Sequence, residues 1–172
     1  MKLFSEALLL EAYSVAEGQH LGKIIDFMFQ LSDGKILGWL IKSGHIFTKQ
    51  GGLPSSSLIR LGKDISLVDT LTSVEWDALK KKNTSELLWG SRFLSVSFWE
   101  RGGREIGSVE DMVLSADGQW IKGFVLNNGA LIPMEEHCRL GRDSAVLADL
   151  DRLFQSTGKK KDLWALIEQH LV

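Results

Sequence analysis

One cysteine, two prolines and one tyrosine are all that 172 residues contain of those types. The lone Cys138 excludes an intramolecular disulfide framework, so the fold has to be held by its own buried surface. No long hydrophobic run exists either. Near the start the most apolar stretch is Ala7–Leu10, set between Glu6 and Glu11. It is too short and too charged at its flanks for a signal peptide or a membrane span. The cytoplasm is therefore the expected location, with peripheral attachment to a membrane complex through another protein left open. An excess of one charge sign is missing as well. Residues 1–82 carry ten basic and nine acidic side chains, and residues 83–172 carry ten and thirteen. Nucleic-acid binding driven by phosphate contacts needs a concentrated positive surface, and this balance disfavours it.

What is present is a globular composition, 44% apolar and 24% charged, enough for both a core and a solvated surface. It is arranged twice. Leu21–Asp26 (LGKIID) matches Ile106–Asp111 (IGSVED) at an offset of 85 residues. Asp33-Gly34 then matches Asp117-Gly118, and Leu61–Asp64 (LGKD) matches Leu140–Asp143 (LGRD). The only prolines, Pro54 and Pro133, correspond too, and Ser5-Glu6 and Ser85-Glu86 each open a unit. The offsets change only where loops are expected, as in a duplicated domain whose surface connections accept insertions.

Within each unit the apolar period is two. Ile25, Phe27, Phe29 and Leu31 form one face, and Leu37, Trp39 and Ile41 another. Between these strands, Asp33-Gly34 supplies the positive φ angles of a tight turn, and Asp117-Gly118 repeats the device before Trp120–Leu126. Gly62–Asp64 and Gly141–Asp143 mark a second hairpin, Leu58–Leu61 to Ile65–Val68 and Cys138–Leu140 to Ser144–Leu147. Five or six short strands per unit suit a small barrel, which removes exposed sheet edges. Helices are expected at the ends of the units. Thr72 and Glu75 form a capping box for one that reaches Lys80–Lys82, and Asp162 caps another with Leu163, Leu166, Ile167 and Leu171 on one face. A less regular turn, Leu150–Phe154, precedes it.

Residues able to do chemistry are sparse. His20, His45, His137 and His170 are isolated from one another. His137-Cys138 follows Glu135-Glu136, but neighbours on a strand point to opposite faces and chelate poorly, so no metal site is assigned. Asp26 and Asp111 recur at equivalent places, where a carboxylate can accept backbone or turn hydrogen bonds. Gly51-Gly52 and Gly102-Gly103 lack the ending and the strand-to-helix context of a phosphate loop, and a hairpin turn accounts for the second pair. No catalytic residue and no cofactor is expected. Six tryptophans are more notable. Trp39 reads as core and Trp164 as part of the C-terminal helix. Trp99, with Arg101 and Arg104 at a turn, is the candidate for partner binding, since Trp and Arg dominate binding hot spots. Lys80–Lys82 and Lys159–Lys161 read as solvated ends of domains.

The order Gly-Lys-Ile-Ile-Asp, Asp-Gly, Gly-Trp-Leu-Ile, proline, Leu-Gly-Lys-Asp resembles the PRC-barrel family. That family includes the cytoplasmic domain of the photosynthetic reaction-centre H subunit and the C-terminal domain of the ribosome-maturation factor RimM. The resemblance implies a mainly β fold of two small PRC-type β-barrels in tandem with short terminal helices, at 1–82 and 83–172. It also implies a non-enzymatic docking or adaptor role toward a protein partner. His20-Leu21-Gly22 is a poor substitute for the His-Gly-containing opening of RimM, which argues against RimM itself. Two further readings stay open at this point: an RNA- or ribosome-associated factor, and a small-ligand or metal sensor.

Overall fold

The duplicated sequence becomes two sheets with the same strand order. The computed structural model describes residues 1–43, 49–70, 85–134, 138–147, 154–155, 164–165, 167–169 and 171. From the first half come β1 (Lys2–Leu3), α1 (Phe4–Ala7), β2 (Glu11–Ser14), β3 (His20–Gln30), β4 (Ile36–Ser43), β5 (Lys49–Pro54), β6 (Leu58–Leu61) and β7 (Ile65–Val68). The second half supplies β8 (Leu87–Trp89), α2 (Gly90–Phe93), β9 (Ser97–Glu100), β10 (Glu105–Leu114), β11 (Ile121–Leu126), β12 (Ala130–Pro133), β13 (Cys138–Leu140), β14 (Ser144–Leu147) and β15 (Phe154–Gln155). One sheet runs β5-β4-β3-β2-β7-β6, and the other runs β12-β11-β10-β9-β14-β13 with β15 beyond β12. The protein is mainly β, and both sheets curl into half-barrels. Both expected hairpins form in each half, and β2–β7 and β9–β14 are the corresponding parallel pairs.

Each half lends its first strand to the other. β1 pairs with β10, Lys2 opposite Leu114 and Leu3 opposite Val113. β8 pairs with β3, Trp89 opposite Met28 and Leu88 opposite Phe29. The long strands β3 and β10 therefore have two neighbours on one edge, their own unit's β2 or β9 at one end and the exchanged strand at the other. This register corrects the proposed unit openings. Leu3 corresponds to Trp89 and Ser5 to Ser91, while Ser85-Glu86 lies before β8.

Two of the expected faces shift by one residue. A bulge between Ile24 and Asp26 turns Ile24 inward and leaves Ile25 partly exposed, after which Phe27 and Phe29 point inward as expected. Another between Met28 and Phe29 brings Ile36, rather than Leu37, into the core. An extra residue on one strand reverses the alternation beyond it, and the strand bends there. Gly51-Gly52 lies within β5, not in a loop, and Phe154 belongs to β15, which pairs with β12. The helix expected over Thr72–Lys82 and the Asp162 cap lie outside the described residues. Residues 164–165 and 167–169 are helical, and Ile167 and Leu171 pack with Leu3, Val113, Val125 and Leu131 on the outer face of the second sheet, Trp164 against them.

Buried residues of both sheets form one cluster. A chain of aromatic contacts crosses it, from Trp39 to Phe27 at 5.3 Å, Phe29 to Phe93 at 5.5 Å, Phe93 to Phe124 at 5.3 Å and Phe98 to Phe124 at 5.3 Å. Such pairs contribute about 0.5–1.5 kcal/mol each beyond the area they bury. The turns also interlock. Trp39, fully buried, donates its indole N–H to the Gly118 carbonyl at 3.0 Å, and Leu61 N–H donates to the Ala116 carbonyl at 2.8 Å. Lys35 and Trp120, equivalent positions in the two halves, face each other in an antiparallel bridge, with the Lys35 ammonium 5.7 Å from the Trp120 ring centroid.

A shared core predicts one cooperative unfolding event. Calorimetry should give a single transition whose van't Hoff and calorimetric enthalpies agree, and two resolved transitions would contradict it. The interlocked turn gives a second prediction. Gly118 sits at φ +67°, and a Cβ there would lie 2.2 Å from Leu58 Cδ2 and 3.2 Å from Trp39. Gly103, at φ +84°, has open space around it. In urea titrations Gly118→Ala should cost about 2 kcal/mol or more and Gly103→Ala about 1 kcal/mol.

Candidate functional site

The recurring aspartates explain themselves first. Asp26 and Asp111 are both 9% exposed. Asp111 accepts from the Ser5 amide at 3.1 Å, the Ser5 hydroxyl at 2.5 Å and the Met112 amide at 2.8 Å. Asp26 accepts from the Ser91 amide at 3.1 Å, the Ser91 hydroxyl at 2.6 Å and the Phe27 amide at 2.8 Å. Each carboxylate thus satisfies donors in the first turn of the short helix contributed by the other half, where the helix itself supplies no acceptor. These are structural clamps, in keeping with the hydrogen-bonding role read from the sequence.

Trp99, Arg101 and Arg104 come together at one end of the second sheet. Phe98 is fully buried, so the pleat turns Trp99 to the outer face, where it is half-buried. The β9–β10 turn is closed by Glu100 N–H to the Arg104 carbonyl at 3.0 Å and Gly103 N–H to the Glu100 carbonyl at 2.9 Å, which is the hairpin expected for Gly102-Gly103. Arg101 is exposed at this turn, and Arg104 bonds Glu100 at 3.0 Å. Across the strands Trp99 stands between Glu105 and Val146, and Val146 stands beside Arg139. An aromatic, an aliphatic and an arginine thus line one outward row, with Arg101 and Arg104 beside it.

The first sheet carries the same row. Tyr13 stands between His20 and Leu67, and Leu67 beside Arg60. His20 Nε2 lies 2.8 Å from Glu11 Oε2, and its ring centroid is 5.0 Å from that of Tyr13. This row is obscured in the sequence because Leu9 falls within the apolar stretch Ala7–Leu10. The available signal was the alternation of Leu9, Glu11, Tyr13 and Val15 against Leu10, Ala12 and Ser14.

Cys138 is buried, its Sγ 3.7 Å from the Pro133 carbonyl. Glu135, Glu136 and His137 lie outside the described residues, as do His45, His170, Lys80–Lys82 and Lys159–Lys161. Among the described residues no group of three His, Cys, Asp or Glu side chains is placed to hold a metal ion, and no helix is long and apolar enough to cross a membrane. No family model and no curated protein matches this chain.

The clamps can be weighed by substitution. Asp26→Ala or Asp111→Ala strands three donors that used a charged acceptor and should cost about 2–3 kcal/mol, against about 1 kcal/mol for Ser91→Ala, as read from urea midpoints. Equal, negligible effects from all three would show that the clamps hold nothing.

Proposed function

We propose that this chain is a non-enzymatic docking protein, similar in design to tandem PRC-barrels, that binds a protein partner through the outer face of its second sheet. The observation that carries this reading is the half-buried Trp99 in an outward row with Val146 and Arg139, adjoined by Arg101. An aromatic ring already supported by its neighbours loses little side-chain entropy when a partner covers it, which is why such residues concentrate binding energy. The arginines suit a partner segment that sets a carboxylate beside an apolar side chain. The address expected for such a protein is the cytoplasm.

Affinity capture from the native cell, followed by titration of the recovered partner, tests this. Trp99→Ala should weaken binding by about thirtyfold or more, corresponding to the loss of a hot-spot residue. Arg101→Ala should weaken it by about tenfold, and Arg104→Ala by less, because Arg104 is already engaged by Glu100. Undiminished capture of the same proteins by folded Trp99→Ala would end the reading, and so would recovery of RNA alone at physiological salt.

A further inference from the structure

Exposed large apolar side chains are concentrated in one place. Leu9 is 70% exposed, Val15 55%, Ile59 48%, Ile65 41% and Tyr13 36%, and all lie in β2 or just beside its ends, in β6 or in β7, while Trp120, at 37%, stands apart in its bridge with Lys35. Leu9, Tyr13 and Val15 lie at alternate positions around β2, opposite in facing to the buried Leu10, Ala12 and Ser14. Ile65 is paired beside Glu11, and Val15 continues the β2–β7 pairing through its amide to the Val68 carbonyl at 2.8 Å. Ile59 is a bulged residue between Leu58 and Arg60, with no counterpart between Cys138 and Arg139.

Among the described residues the second sheet has no such patch. The register that matches Leu3 to Trp89 puts Ser95 where Leu9 stands and Arg101 where Val15 stands, and Ser144 replaces Ile65. The apolar surface is therefore not a by-product of the repeated architecture. Clustered exposure of this kind, rimmed by charge, marks an interaction surface.

Its rim indicates the occupant. At one end of the β2–β7 stripe lie Lys23, paired with Glu11, and Lys63 in the β6–β7 turn, while Asp69 and Glu17 lie at the other, all exposed. Glu11, between Lys23 and Ile65, and Asp64, beside Lys63, reduce this polarity without reversing it, because Lys42, exposed and paired with Lys23, adds to the basic end. A surface that is basic at one end, apolar in the middle and acidic at the other complements itself when a two-fold axis inverts it. We infer that the outer face of β2 and β7 is a homodimer interface, in which Tyr13, Val15 and Ile65 of two copies pack together and the Lys23 end of each lies over the Asp69 end of its partner.

Sedimentation velocity on the full chain, from about 1 to about 100 µM, is the test. The native protein should sediment at twice the chain mass over most of that range. Val15→Glu and Ile65→Glu, at positions already open to water, should each yield monomer, a weakening of about a hundredfold or more. Lys23→Glu should weaken the dimer by about tenfold, and adding Asp69→Lys should restore it. Trp99→Glu should leave the dimer unchanged, which separates this interface from the proposed partner surface. A native protein that is monomeric throughout overturns the inference, whatever else binds the face. A dimer that survives both glutamate substitutions, or a charge exchange that fails to rescue, overturns it equally.

Discussion

The reciprocal loan of a first strand is the constraint on which the rest of the molecule depends. β3 and β10 are too long for β2 and β9 to cover, and the uncovered ends would expose unpaired backbone groups beside an apolar interior. The strand that covers each end comes from the other half, and a four-residue helix then carries the chain across to its own sheet. Those helices are too short to satisfy their own leading amides. A buried aspartate from the opposite sheet does so in both places, which fixes where each crossing begins.

Given that exchange, a single core follows. Phe93, delivered by α2, stands between Phe29 of one sheet and Phe124 of the other, and Trp39 finds the partner for its indole N–H in the opposite turn. An indole N–H buried without that carbonyl would carry a desolvation cost comparable to the bond itself. The halves are thus two units in sequence and in sheet order, but their buried contacts are held in common.

Much of this was legible in the residues. Periodicity of two, paired Asp-Gly turns and the Leu-Gly-basic-Asp hairpins located most strands in both copies, and the fully buried Trp39 matches its reading as core. The one-residue shifts at Ile25 and Leu37 were not legible, because a bulge inserts a residue without altering composition or period nearby. Nor was the exchange. Lys2-Leu3 and Leu87–Trp89 are too short to carry a pattern, and their pairing is decided by the open ends of strands in the other half of the chain. The docking candidates were found as residues but not as a row, since Trp99, Val146 and Arg139 become neighbours only through parallel pairing of β9 with β14.

The two copies differ in an instructive way. At the two clamps and the two central turns the copies agree: aspartate on serine in both clamps, and glycine at positive φ in both turns. A change on one side there would have to be answered on the other. On the outer faces no such answer is required, and the copies diverge, Leu9 against Ser95 and Ile65 against Ser144. Apolar groups that face water gain nothing for the fold and raise the risk of association. Among the described residues five of the six exposed large apolar side chains gather on the first sheet, and only Trp120 stands beside the second. Unequal outer surfaces are what the two proposed contacts would require, and a duplicated scaffold can supply them because its interior does not depend on what its outer faces become.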